Sequence, residues 1–76
     1  MWDIQENKLY KKFIFANFLE AIEFINQVAS VSESLNHHPS ILINYNVVEI
    51  WLCTHDANNQ ITDKDHALAN IILEIK

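Results

Sequence analysis

Glycine is absent from all 76 residues of this chain, and that absence limits its backbone more than any other feature. Tight turns and helix ends call for left-handed backbone, which glycine enters freely and asparagine at lower cost than most other residues. Asparagine is therefore expected at the turns. The same absence removes every Gly-rich loop that cradles phosphates. The one proline, Pro39, is a second constraint, because the residue before it is pushed out of the helical region toward extended dihedrals.

Between these constraints the hydrophobic pattern places six elements. Trp2 to Gln5 and Leu9 to Phe15 read as strands joined at an Asn7-Lys8 turn, with Phe13 and Phe15 alternating about Ile14. Asn17 followed by Glu20 is a capping-box pattern with asparagine as the cap. A helix starting there lines up Phe18, Ala21, Ile22, Ile25, Val28, Ala29 and Ser32 by steps of three and four, and should run to about Leu35. Ile41 to Tyr45 and Val48 to Thr54, separated by Asn46-Val47, form a second hairpin. In its later strand Val48, Ile50 and Leu52 should face the helices, with Glu49, Trp51, Cys53 and His55 pointing the other way. His55 then lies on the far side of the sheet or at its end. After a polar loop over 56–61, Thr62 and Asp65 make a capping-box variant, and Ala67, Leu68, Ile71, Ile72 and Ile75 give the last helix its apolar face. The order β-β-α-β-β-α predicts an α+β fold, a four-stranded antiparallel sheet with two helices packed on one face, as a single domain.

Half of the residues are hydrophobic, enough for a thin core, and small domains of this kind often gain support from self-association. The single cysteine excludes an intramolecular disulfide and suits a reducing compartment. The amino terminus lacks the basic and apolar regions of a signal peptide, and no apolar run approaches the roughly 20 residues of a membrane helix. A soluble cytoplasmic protein without membrane partners is expected. The net charge of -5 and the scattered lysines argue against nucleic acid, whose phosphates need clustered cations.

Chemistry concentrates in two segments, Glu33-Ser-Leu-Asn-His37-His38-Pro39 and Cys53-Thr54-His55-Asp56, which hold three of the four histidines. Histidine both gives and takes a proton near neutral pH, so a proton-transfer site is the first expectation. His37 should end the first helix and His38 leave it. In the last helical turn, His37 would sit near the negative end of the helix dipole, which favours the charged ring and an acid role. Glu33, one turn earlier, is placed to hold the tautomer of His37. Asp65, at the third position of the last helix, is expected chiefly to cap it. His66 should be solvated, and Cys53 should be a small packing residue.

The ordered set Glu33, His37-His38-Pro39, Tyr45, Thr54-His55 and Asp65 resembles the pattern of the pterin-4a-carbinolamine dehydratases. The likeness continues through Trp2, Phe13, Phe15, Phe18, Ala21, Phe24 and Val28-Ala29 to Leu68-Ala69. The resemblance implies dehydration of a 4a-hydroxytetrahydropterin to a quinonoid dihydropterin, with no metal or bound cofactor. It implies that His37 and His55 are the acid-base pair and that His38 orients the substrate. Glu33, Asn36, Cys53, Thr54 and Asp56 are expected to bind it, since most of them flank the histidines. It also implies a homodimer or homotetramer and a functional link to an aromatic amino acid hydroxylase in tetrahydrobiopterin recycling.

Two other classes compete. Three histidines and an aspartate are metal-ligand types, but adjacent imidazoles rarely converge on one ion and no His-x-x-x-His spacing is present. A non-enzymatic dimerisation module resembling a transcription cofactor is the other alternative, and the retention of every motif histidine favours the enzyme.

Overall fold

The computed structural model describes residues 2 to 75. Its elements run β1 (Asp3–Gln5), β2 (Lys8–Ile14), α1 (Phe18–Leu35), β3 (Ser40–Asn44), β4 (Val47–Leu52) and α2 (Asp63–Ile75), with a 3-10 turn over His55–Ala57. The strands form one antiparallel sheet in the order β1-β2-β4-β3. This is the α+β arrangement expected from the hydrophobic pattern.

Both hairpins turn one residue earlier than their asparagines suggested. Pairing of Gln5 with Lys8 and of Asn44 with Val47 leaves the two-residue loops Glu6-Asn7 and Tyr45-Asn46. Strand twist requires positive φ in such loops, and Glu6, Asn7 and Tyr45 have it, at 53°, 64° and 56°. Tyr45 is thus a turn residue, 63% exposed, rather than the last residue of the strand. Of the six described residues with positive φ, the remaining three are Asn36, Asn58 and Asn59. Asparagine therefore fills four of the six positions, as a glycine-free chain requires.

Helix α1 begins at the cap foreseen for it. Asn17 is extended, with φ -158°, and its Oδ1 accepts the Glu20 N–H at 2.9 Å. The buried stripe is Ala21, Phe24, Val28 and Ser32. Phe24 therefore takes a core place, whereas Phe18 and Ala29 are exposed; the helix touches the sheet along a stripe narrower than its apolar face. On α2, Leu68, Ala69 and Ile72 are buried and Ala67 is exposed. These residues close on Leu9 and Phe13 of β2 and on Val48, Ile50 and Leu52 of β4, so both helices cover one face of the sheet. Phe24 lies between Phe13 and Phe15, with centroids 4.8 and 5.0 Å away. The Trp2 indole packs edge-on to Phe13 and donates to the Ala69 carbonyl at 3.2 Å, which ties the start of the described chain to α2.

On the open face Tyr10 packs against Trp51, donating its hydroxyl to Glu49 Oε1 at 2.6 Å, while the Trp51 indole donates to Gln5 Oε1 at 2.9 Å. No helix is long and apolar enough to cross a membrane among the described residues.

One buried group is out of place. Ser32 is 1% exposed, yet its hydroxyl has no hydrogen-bond partner among the described residues. An unsatisfied buried hydroxyl costs about 1–3 kcal/mol, and alanine is the better helix former. Ser32→Ala should therefore raise stability by about 1 kcal/mol in urea unfolding, with an unchanged m-value.

Candidate functional site

Asn36 decides where the histidines go. It takes the left-handed conformation, φ 53° and ψ 43°, and its N–H donates to the Glu33 carbonyl at 3.1 Å. The His37 N–H donates to the Ser32 carbonyl at 3.0 Å. These paired bonds are a Schellman ending, which satisfies two carbonyls of the last turn and swings the chain away from the helix axis. His37 consequently lies just beyond α1 instead of within its last turn. Its ring is backed by a carboxylate rather than by the helix dipole.

That carboxylate is not the one the helical spacing suggested. With the chain turned at Asn36, His37 reaches α2, where its Nε2 lies 2.6 Å from Asp65 Oδ1. Glu33 instead meets His38, Oε1 to Nε2 at 2.8 Å. The two pairs differ in setting: the side chains of His37 and Asp65 are 11% and 0% exposed, those of His38 and Glu33 58% and 81%. Screening by water leaves little stabilisation in the second pair.

Asp65 does cap α2, but with one oxygen only. Its Oδ2 accepts the Thr62 N–H at 2.9 Å and the Thr54 hydroxyl at 2.7 Å, while the Thr62 hydroxyl oxygen accepts the Lys64 N–H at 3.3 Å. The other oxygen holds His37. Burial opposes the charge on Asp65, but the hydrogen bonds from His37, the Thr62 amide and Thr54, with the charge of His37, outweigh it. The carboxyl pKa therefore lies below its ordinary 3.8. An ionised carboxylate can only accept, so His37 Nε2 carries a proton and donates it. Its Nδ1 is the nitrogen left for chemistry.

The second segment arrives from the end of β4. The strand ends at Leu52, and Thr54 is anchored by pairing with Gln60, its N–H donating to the Gln60 carbonyl at 2.8 Å. His55 opens the 3-10 turn beyond, so it stands past the end of the sheet, one of the two places its strand pattern allowed. Its Nδ1 lies 2.7 Å from Asn59 Oδ1. An amide oxygen accepts, which makes Nδ1 the donor and leaves Nε2 of the neutral ring free to receive a proton. Asn58 and Asn59, both at φ 59°, turn the loop that places Asn59 there.

The two segments meet in a cleft of about 160 Å³ lined by Asn36, His37, His38, Thr54, His55, Asp56 and Lys64. All three motif histidines share it although His37 and His55 are 18 positions apart. Of the other residues singled out in the sequence, Asn36, Thr54 and Asp56 line the cleft. Glu33 stands beside it through His38, and Cys53 is buried at 8% exposure without lining it. Lys64 and Asn59 were not foreseen. Lys64 adjoins the motif aspartate in sequence, and Asn59 belongs to the polar loop over 56–61.

A family model described as pterin 4 alpha carbinolamine dehydratase matches residues 1–75. A protein of Nostoc punctiforme, provisionally named pterin-4-alpha-carbinolamine dehydratase, is 44% identical over 75 residues, covering 99% of this chain and 80% of the relative. One of Sulfurisphaera tokodaii, with the same provisional name, is 45% identical over 74 residues, covering 97% and 78%. Among solved structures, a transcriptional coactivator/pterin dehydratase from Brucella melitensis superposes with a TM-score of 0.91 at 32% identity, covering 97% of this chain and 80% of that one. A pterin dehydratase-like protein that is a RuBisCO assembly factor in the alpha-carboxysome shares the fold, with a TM-score of 0.79 at 21% identity over 99% and 86% of the two chains. On the family match along nearly its whole length and on these identities, the chain belongs to the pterin 4 alpha carbinolamine dehydratase family.

Proposed function

We propose that this protein dehydrates a 4a-hydroxytetrahydropterin to a quinonoid dihydropterin and water by histidine acid-base catalysis. The observation that carries the proposal is the single cleft lined by His37, His38 and His55. In the reaction the C4a–O bond breaks and the oxygen leaves as water after taking a proton. The N5–H bond releases its proton, and its electron pair becomes the new N5–C4a π bond. The sum is one water lost with no change of oxidation state, so the step needs only one proton donor and one acceptor.

His37 is the donor in this scheme, through Nδ1, with the Asp65 carboxylate behind Nε2 accommodating the positive charge of the doubly protonated ring. His55 is the acceptor, through Nε2, since a neutral amide oxygen holds its other nitrogen. His38 orients the substrate, and Asn36, Thr54 and Asp56 border the space it enters. Small-molecule pockets commonly enclose about 300–1,000 Å³. A cleft of about 160 Å³ would hold the reacting edge of a flat bicycle and leave the remainder in water.

A homodimer or homotetramer belongs to the same reading. The outer edge of β3 is unpaired in the sheet order, its five residues Ser40–Asn44 include no charge or proline, and Leu42 is 51% exposed. Such an edge is a template for another strand. The substrate would come from a pterin-dependent aromatic amino acid hydroxylase, and a reductase would consume the quinonoid product, which places the protein in tetrahydrobiopterin recycling. The same edge suits the alternative, a non-enzymatic dimerisation or transcription-cofactor-like module, as the coactivator name of the Brucella neighbour suggests. Stopped-flow absorbance of a synthetic 4a-carbinolamine decides between them. The dehydratase reading expects an acceleration proportional to protein concentration; a rate equal to the uncatalysed one would leave the binding module.

A further inference from the structure

Thr54 lines the cleft, yet its hydroxyl is already committed inside the protein. Thr54 is 6% exposed, its Oγ1 lies 2.7 Å from Asp65 Oδ2 and 2.6 Å from Thr62 Oγ1. The hydrogens can be assigned by counting. Asp65 is ionised and has none to give, so the Thr54 hydroxyl hydrogen must point at it. The hydrogen between the two threonines then comes from Thr62, whose own oxygen accepts the Lys64 N–H. The result is a one-way chain, Thr62 to Thr54 to Asp65, meeting the His37 N–H at the opposite carboxylate oxygen.

From this we infer that Thr54 is a positioning residue, whose hydroxyl fixes the Asp65 carboxylate in the orientation that pins the proton of His37 on Nε2. The inference rests on the dehydratase reading for its kinetic consequence, but its structural content stands apart from it. A carboxylate can rotate about its last bond, and the Thr62 amide alone leaves Oδ2 with one protein donor from the cap. Thr54 adds a second from just beyond the end of β4, an element anchored by the core. Its own backbone is held on both sides, N–H to the Gln60 carbonyl at 2.8 Å and carbonyl to the Ala57 N–H at 3.1 Å. The dyad of His37, just beyond α1, and Asp65, in the first turn of α2, is thereby referenced to the sheet.

The test compares Thr54→Val, which removes the hydroxyl and keeps the branched shape, with Thr54→Ser, which keeps the hydroxyl. In Thr54→Val, kcat for carbinolamine dehydration should fall about tenfold, the usual scale for one hydrogen bond to a charged group, with KM within about twofold, and Thr54→Ser should recover most of the loss. Nitrogen-15 NMR of His37, recorded at a pH where the ring is neutral, should show the Nε2–H tautomer in the wild type and a mixture in Thr54→Val. The Asp65 side-chain carbon should titrate at higher pH in the variant. His38, His55, Asp56 and Lys64 also line the cleft, so the tautomer and the Asp65 resonance are read directly rather than through the pH-rate profile. Unchanged kcat in Thr54→Val, a loss that Ser does not restore, or an unaltered His37 tautomer each overturns the inference. If Thr54→Val does not fold, Thr62→Val removes the donor one link further back; about a threefold fall in kcat is expected, and no fall overturns the role. A wild-type protein inactive toward the carbinolamine defeats the dehydratase reading instead, and the NMR arm still decides the hydrogen-bond chain.

Discussion

Replacing His37 or His55 with alanine should lower kcat for carbinolamine dehydration by about 10²- to 10⁴-fold each, the range that a positioned acid or base contributes. Both imidazoles line one cleft, and each has one nitrogen engaged by the protein and one left over. The loss is expected in kcat more than in KM, because the proton transfers belong to the transition state. His38 is mostly exposed and, among the described residues, paired only with Glu33. Its replacement by alanine should act mainly on KM, as fits a residue that orients rather than reacts. Full activity in both His37→Ala and His55→Ala would remove the acid-base assignment.

Asp65→Asn should be nearly as damaging to catalysis and far worse for stability. The carboxylate accepts from His37, Thr54 and the Thr62 amide, and an amide in its place turns one oxygen into a donor. If that nitrogen faces His37, the ring must accept at Nε2 and can no longer be doubly protonated, so the proton at Nδ1 is held by a neutral imidazole, a far weaker acid. In a serine protease triad the analogous aspartate-to-asparagine change costs about 10⁴ in rate; here too the carboxylate that stabilises the imidazolium is lost, and a fall of about 10² or more is expected. If the nitrogen faces Thr54 instead, two buried donors confront each other. Either outcome should cost about 2–3 kcal/mol, a large share of the roughly 4–11 kcal/mol available to a domain of this length.

The acid limb of the stability curve gives an independent check. The pKa of Asp65 is lowered by folding, so in the native state the group releases its proton more readily than in the unfolded chain. Its contribution is complete above the unfolded value of about 3.9 and is lost as pH falls through the lower folded value. Urea unfolding of the wild type and of Asp65→Asn should therefore differ by a constant amount above about pH 5 and converge at lower pH. A gap that does not narrow on acidification would mean that Asp65 is not held ionised by its partners.

Much of the architecture could be read from local pattern. The stripes of α1 and α2 and the alternation of β4 are consequences of side-chain periodicity, and each element formed within one or two residues of where periodicity put it. Turn chemistry was legible more coarsely. Asparagine located both hairpins, but the pairing partners on the strands choose which two residues form the loop. That choice forced Glu6 and Tyr45 into left-handed backbone. The hydrophobic face of α1 was likewise drawn too wide, because periodicity marks which residues are apolar and only the sheet beneath selects Phe24 over Phe18 and Ala29.

The site divides along the same line. Histidine and aspartate are present for reasons of intrinsic chemistry, so their candidacy was visible in the amino-acid order, as was the ending of α1 before Pro39. Which carboxylate meets which imidazole was not. Helical spacing assigns Glu33 to His37, but that rule holds only while the helix continues, and a single left-handed residue at Asn36 sends His37 to α2 and His38 back to Glu33. The docking of α2 on the sheet and on α1 then brings Asp65, 28 positions beyond His37, to 2.6 Å from the ring. Contacts between residues so far apart depend on how packed elements share a core, a property of the assembled chain that no short stretch of it contains.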